Sequence, residues 1–148
     1  GFVSTKKDIA EYIRHKASAF IFTAALPPAS VAGVLEGLDI LANDSKRRKR
    51  LHENTAFIKR AFFELGIQVN NNLVPIVPIQ IGDEALTLYM NRLLFDDAVF
   101  AGVAVSPVVP PLKAMIRTSY TSEHTKKDLD RILTSFEKNL TKIGILPQ

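Results

Sequence analysis

Three prolines within five residues, Pro107, Pro110 and Pro111, forbid a helix across the middle of this chain's C-terminal half. A proline inside a helix removes an N–H donor and drives its ring into the preceding turn, so residues 107–111 must form a rigid turn. Residues 99–105 before that turn are β-like, and residues 114–120 after it read as a second strand. A further strand is expected around Ile76, Val77, Ile79 and Ile81, where Pro75 and Pro78 favour an edge or strand-start position. Asp83 can cap a helix carrying Leu86, Tyr89, Met90, Leu93 and Leu94, ending near Phe95. Thr125 and Asp128 have the spacing of a capping box. The helix they open carries Leu129, Ile132, Leu133, Phe136, Leu140 and Ile143 on one face and stops at Gly144. From Asn70 onward the order is β-α-β-β-α, which predicts an α+β sandwich, a small sheet with helices on one face.

The N-terminal third does not close on itself in that way. Gly1-Phe2-Val3-Ser4 reads as a strand already under way, and Ser4 or Thr5 can cap a helix to about Ala17 with Ile9, Tyr12, Ile13 and Lys16 on one face. Phe20-Ile21-Phe22 is a short apolar run of the buried-strand type. Pro28 suits the first turn of a helix, and Val31, Val34, Leu35, Leu38 and Leu41 continue it to about Asn43. Asn43-Asp44-Ser45 marks a re-capping. The next helix runs to Leu65 on an apolar face of Leu51, Ile58, Ala61, Phe62 and Leu65, with Gly66 as its C′ residue. Residues 1–45 therefore read as a piece of another unit plus a connecting helix, and residues 46–148 as a compact domain.

Composition narrows the function. The 148 residues are 47% apolar, enough for one ordinary core, and contain no cysteine, which removes disulfides and thiolate metal sites. No apolar run approaches the roughly 20 residues of a membrane span. The net charge of +4 arises from one run, Lys46, Arg47, Arg48, Lys49 and Arg50. It lacks the interleaved aromatics and reading motifs of a nucleic-acid surface, so nucleic acid is not an expected partner and a solvated helix is. A non-catalytic basic module binding polyanions is the alternative. His15, His52 and His124 stand at no metal-ligand spacing, and there is no Gly-rich phosphate loop or nucleophile elbow.

Two residues stand out for chemistry. Arg117 lies on a strand behind the rigid proline turn, where a guanidinium can be held still to take a carboxylate in two-pronged fashion. An exposed strand arginine with no ligand is the alternative. Thr23 lies between the apolar run and the Pro27-Pro28 helix start, where hydroxyls and amides contact phosphate well; a turn threonine is the commoner role. His124, just before a helix cap, reads as a local hydrogen-bond partner.

At these segments the chain resembles the pyridoxal-phosphate-dependent α-oxoamine synthases, which include 8-amino-7-oxononanoate synthase, glycine C-acetyltransferase, 5-aminolevulinate synthase and serine palmitoyltransferase. Residues 20–28 resemble one family block, Gly1-Phe2-Val3 the strand after the lysine loop, residues 74–79 a family strand, and residues 116–125 the C-terminal Arg…His-Thr block. The likeness is collinear along nearly the whole chain. It implies the C-terminal small domain of a fold-type I transferase with a remnant of the large domain, and a cytoplasmic homodimer that condenses an amino acid with an acyl-CoA to give an α-amino ketone. On this pattern Arg117 binds the substrate carboxylate. Thr23 reaches the cofactor phosphate across the dimer interface, with Ala24 contributing its backbone N–H where relatives often carry a polar side chain. The Schiff-base lysine is expected upstream of Gly1. Lys6 and Lys7, on the following helix, are no substitutes, so this chain alone is expected to be inactive. An aminotransferase of the same fold type is the nearest alternative, and the choice of amino acid and acyl chain stays open.

Overall fold

The computed structural model describes residues 3–146, and the chain divides into two compact units, one ending at Asn43 and the other beginning at Asp44. The regular structure of the first unit is helical: α1 (Lys7–Lys16), α2 (Ser18–Ile21) and α3 (Pro28–Asn43). The strand expected from Gly1 begins outside the described residues, and Val3 and Ser4 have no regular structure. Helix α1 is preceded by Lys6, which makes no side-chain cap, rather than by Ser4 or Thr5. Lys6 takes the extended cap conformation, which leaves Thr5 and Ser4 one and two residues upstream of the capping position.

Phe20-Ile21-Phe22 is not a strand. The amides of Ile21 and Phe22 bond back to the carbonyls of Ala17 and Ser18 at 3.0 Å each, so the backbone satisfies itself locally as α2. Helix α3 follows the sequence pattern. Ser30 and Val31 bond to the Pro27 carbonyl at 3.0 and 3.1 Å, and Pro28 occupies the first turn, where no donor is required. None of the three helices buries a residue, and Val31, Val34, Leu35, Leu38 and Leu41 all stand exposed on α3.

The second unit runs α4 (Ser45–Glu64), β1 (Ile76–Gly82), α5 (Glu84–Asp96), β2 (Gly102–Ala104), β3 (Ala114–Ser119) and α6 (Lys126–Lys142). The sheet order is β1-β3-β2, antiparallel throughout. Strand β1 is an edge, which is why Pro78 fits inside it without costing the ladder a donor. Helix α5 packs on β1 and β3, and α6 packs on α4 and α5. The core between these layers is Ile58, Phe62, Val77, Ile79, Met90, Leu94, Ile116, Phe136 and Leu140, with the Phe62 and Phe136 rings edge to face at 5.2 Å. Each such side chain contributes roughly 1.5–3 kcal/mol by leaving water.

The helices start where local chemistry caps them. Asp44 accepts from the Arg47 amide at 3.0 Å, and Asp83 from the Leu86 amide at 2.7 Å. Thr125 and Asp128 exchange bonds as a capping box, the Thr125 amide donating to the Asp128 carboxylate at 2.8 Å.

Strand β2 is shorter than the β-like run at 99–105. The Val99 amide is drawn back to the Leu94 carbonyl at 2.8 Å, closing α5, while the Val105 carbonyl accepts from Val108 at 2.9 Å in the proline turn. Both ends of the run are thereby taken out of the ladder.

Candidate functional site

Strand β3 occupies the centre of the sheet and alternates strictly. Ala114, Ile116, Thr118 and the following Tyr120 are buried toward the helices, so Met115, Arg117 and Ser119 fall on the opposite face. Side-chain period alone therefore places Arg117 on the sheet face that the helices leave open. Pairing on both sides fixes its position: Pro78 of β1 and Gly102 of β2 stand directly opposite it. Two further bonds anchor the strand beyond it. The Thr118 hydroxyl donates to the Val77 carbonyl and the Tyr120 amide to the Pro75 carbonyl, each at 2.9 Å.

The Arg117 guanidinium is exposed and has no ion pair among the described residues. Several other cations of this unit pair with neighbours, while Arg48 and Arg131 share with Arg117 the lack of an ion pair among the described residues. Arg50 pairs with Glu123 at 2.9 Å, Arg60 with Glu64 at 2.9 Å, Arg92 with Asp96 at 3.0 Å, and Lys138 with Asp97 at 2.8 Å. An unpaired, planar, permanently charged fork on a central strand can bind a carboxylate through two charge-assisted hydrogen bonds.

The proline turn that precedes β3 closes through the Lys113 amide on the Pro110 carbonyl at 3.1 Å, with Leu112 at φ 60°. At the far end of the strand, the His124 ring accepts from the Thr121 amide through Nδ1 at 3.1 Å, a local contact of the expected kind. Asn54 of α4 donates to the carbonyls of Thr121 and His124 at 3.1 and 3.0 Å, tying this loop to the helix layer. The basic run of residues 46–50 lies exposed along the start of α4. Arg50 turns to Glu123, whose carboxyl the Ser122 hydroxyl and then the Arg50 charge hold below the usual range.

Thr23 lies in the first unit, in the irregular stretch between α2 and α3, with its hydroxyl donating to the Ala19 carbonyl. Ala24 follows it, exposed. Both sit where amides precede a helix start.

Three polar features carry no signature in the sequence motifs. Asp97, at the end of α5, accepts from Lys138, Ser135 and Asn139 of α6 at 2.8 Å each. Those bonds, Lys138 foremost, pull its carboxyl down to about 2. Buried Lys59 on α4 donates to the Asn70 and Asn72 side chains at 3.0 and 2.9 Å and also to the Asn72 carbonyl, and burial lowers its ammonium below the ordinary lysine range. It ties the loop before β1 to the helix layer. The Tyr120 hydroxyl is buried with no hydrogen-bond partner among the described residues, and burial pushes its phenol above the ordinary range. Gly102 beside Arg117 was equally hidden, because only strand register reveals the pairing. The spacing of Ser135 and Asn139, four apart on an otherwise apolar face, was the one available hint of the Asp97 cluster.

Residues 1–136 match the family described as aminotransferase class I and II. The chain is 38% identical over 146 residues to the 8-amino-7-oxononanoate synthase of Thermoanaerobacter pseudethanolicus, covering 99% of this chain and 37% of that protein. It is 38% identical over 136 residues to the serine palmitoyltransferase of Bacteriovorax stolpii, covering 92% and 32%. It superposes on the structure of an S. paucimobilis serine palmitoyltransferase variant with bound PLP-myriocin aldimine. There the TM-score is 0.84 and the identity 25%, over 97% of this chain and 36% of that one. On the 8-amino-7-oxononanoate synthase of Francisella tularensis the TM-score is 0.74 at 27% identity, covering 93% and 40%. The chain thus spans little more than a third of the length of the relatives it matches, and its neighbours share the fold-type I transferase fold.

Proposed function

This chain belongs to the aminotransferase class I and II family, and from that membership we propose that it is the C-terminal portion of a pyridoxal-phosphate-dependent acyltransferase joining an amino acid to an acyl-CoA. The product is an α-amino ketone. Residues 46–148 form the small domain in this reading, and residues 1–45 belong to the large cofactor-binding domain. The enzyme acts as a homodimer in the cytoplasm.

One observation carries the reading: a guanidinium without a counter-ion among the described residues, held on the central strand, on the face that the helices do not cover. Its partner is the α-carboxylate of the amino acid, which two parallel N–H···O bonds fix in orientation. The collinear likeness to two acyl-transferring relatives favours this branch of the family over an aminotransferase.

When bound, pyridoxal phosphate supplies the electron sink for the substrate carbon that loses its proton. This chain's share in holding it is a phosphate contact. The donors present at residues 23–24, a threonine hydroxyl and an exposed backbone amide ahead of a helix start, are of the right chemical type. Thr23 would hold the phosphate through its hydroxyl, which in this structure donates to the Ala19 carbonyl. Neither Lys6 nor Lys7 takes part, so the residues that hold the ring and remove the proton come from the rest of the enzyme. Arg117 binds and orients.

The test is thiol release by the whole enzyme. With an amino acid and an acyl-CoA, free CoA should appear at a rate that saturates with both. Transfer of the amino group to an oxo acid, without any thiol, would refute the acyltransferase reading.

A further inference from the structure

Building on the carboxylate role of Arg117, we propose that Gly102 is a positioning residue for that arginine, and that its missing side chain decides how the guanidinium meets an α-amino acid. Gly102 and Arg117 are directly opposed on β2 and β3, and their side-chain positions share the open face of the sheet. A Cβ at Gly102 would stand 3.8 Å from the Arg117 Nε, 4.0 Å from its Cβ and 3.6 Å from its carbonyl oxygen. The arginine side chain therefore lies across β2, over the bare backbone. On the other flank Pro78 stands opposite Arg117 with a rigid ring, so the free direction is the one Gly102 leaves open. The next residue of β2 on this face is Ala104, opposite Met115, which keeps that side of the sheet low.

Those distances grade the tolerance of the position. At 3.6–4.0 Å a methyl group makes ordinary contact, so alanine fits. A branched side chain does not, because its γ carbons extend into the volume that Nε and the guanidinium beyond it occupy. Glycine is a poor strand residue, with more freedom to lose and nothing to pack. A bulkier residue at 102 should therefore leave the fold as stable or more stable while it displaces the arginine. Stability and substrate binding then move in opposite directions, which a merely structural glycine would not produce.

The experiment compares the whole enzyme with Gly102→Ala, Gly102→Val, Arg117→Ala and the Gly102→Val/Arg117→Ala double variant, reading amino-acid KM, kcat and Tm. Gly102→Ala should stay within about twofold of wild type, while Gly102→Val should raise the amino-acid KM roughly tenfold with kcat little changed and Tm unchanged or higher. In the Arg117→Ala background the valine should add nothing further. If valine unfolds the strand, Gly102→Ser carries the same test with an intermediate rise. An unchanged KM in Gly102→Val, with Arg117→Ala impaired, overturns the role of Gly102 and leaves Arg117 standing. So does an equal KM rise in both backgrounds, which would mean that Gly102 acts without the arginine. An unchanged KM in Arg117→Ala removes the carboxylate reading itself, and the inference with it.

Discussion

Three helices of the second unit end in the same motif, and one of them ends in the wrong residue. After α4, Gly66 at φ 82° donates to the Phe63 carbonyl and Ile67 to the Phe62 carbonyl, each at 2.9 Å. After α6, Gly144 at φ 77° donates to Thr141 at 3.1 Å and Ile145 to Leu140 at 2.9 Å. After α5 the same pair of bonds runs from Ala98 to Phe95 at 2.9 Å and from Val99 to Leu94 at 2.8 Å, but the left-handed residue is Ala98 at φ 58°. A Cβ in that region costs about 1–2 kcal/mol. Ala98→Gly removes that cost and gives back about 0.4–1 kcal/mol through the greater freedom of the unfolded chain. The expected net gain is about 0.5–1 kcal/mol. For a chain of roughly this size that is ~1–4 °C in Tm. Urea unfolding measures it, as a rise in midpoint at unchanged slope. Gly66→Ala and Gly144→Ala are the internal controls and should lose about as much as Ala98→Gly gains. A destabilised Ala98→Gly protein, with both controls behaving as stated, would refute the reasoning.

Asp97→Asn should lower stability at neutral pH, and the deficit relative to wild type should shrink as the solution is acidified. The folded carboxyl is held near 2, below its ordinary 3.8, so its contribution is complete above about pH 4–5 and is lost as pH falls toward 2; unfolding midpoints across pH 2–7 check it, and a deficit constant with pH would contradict it. Tyr120→Phe removes a buried hydroxyl that has no partner among the described residues and should stabilise by about 1 kcal/mol in urea unfolding, since an unmet buried polar group carries its desolvation cost.

Most of the second unit was legible because its signals are local. Asp44, Asp83 and the Thr125–Asp128 pair open the three helices that they announce. Pro78 marks an edge strand, and Arg117 lies on the strand expected after the proline turn, while its face became evident only from the burial alternation of that strand. What failed was read from apolar content without a partner. Phe20-Ile21-Phe22 has the composition of a buried strand, yet a strand needs a neighbour to bond, and α2 forms from bonds within the segment. Strand β2 lost its ends to a helix cap and a turn, interactions that come from outside the run itself. Lys59 and Asn139 are polar types by composition and buried in fact, because each finds acceptors or donors far along the chain. Gly102 became legible only through register.

Arg117 remains the residue on which the functional account turns. The most direct test is the ratio of affinities of the whole enzyme for an amino acid and for the corresponding amine, which differs only in lacking the carboxylate. Wild type should favour the amino acid, and Arg117→Ala should reduce that preference by about 10–100-fold, the worth of hydrogen bonds to a charged group at roughly 1.5–3 kcal/mol. A ratio unchanged by the substitution would show that the carboxylate is bound elsewhere and would contradict the account.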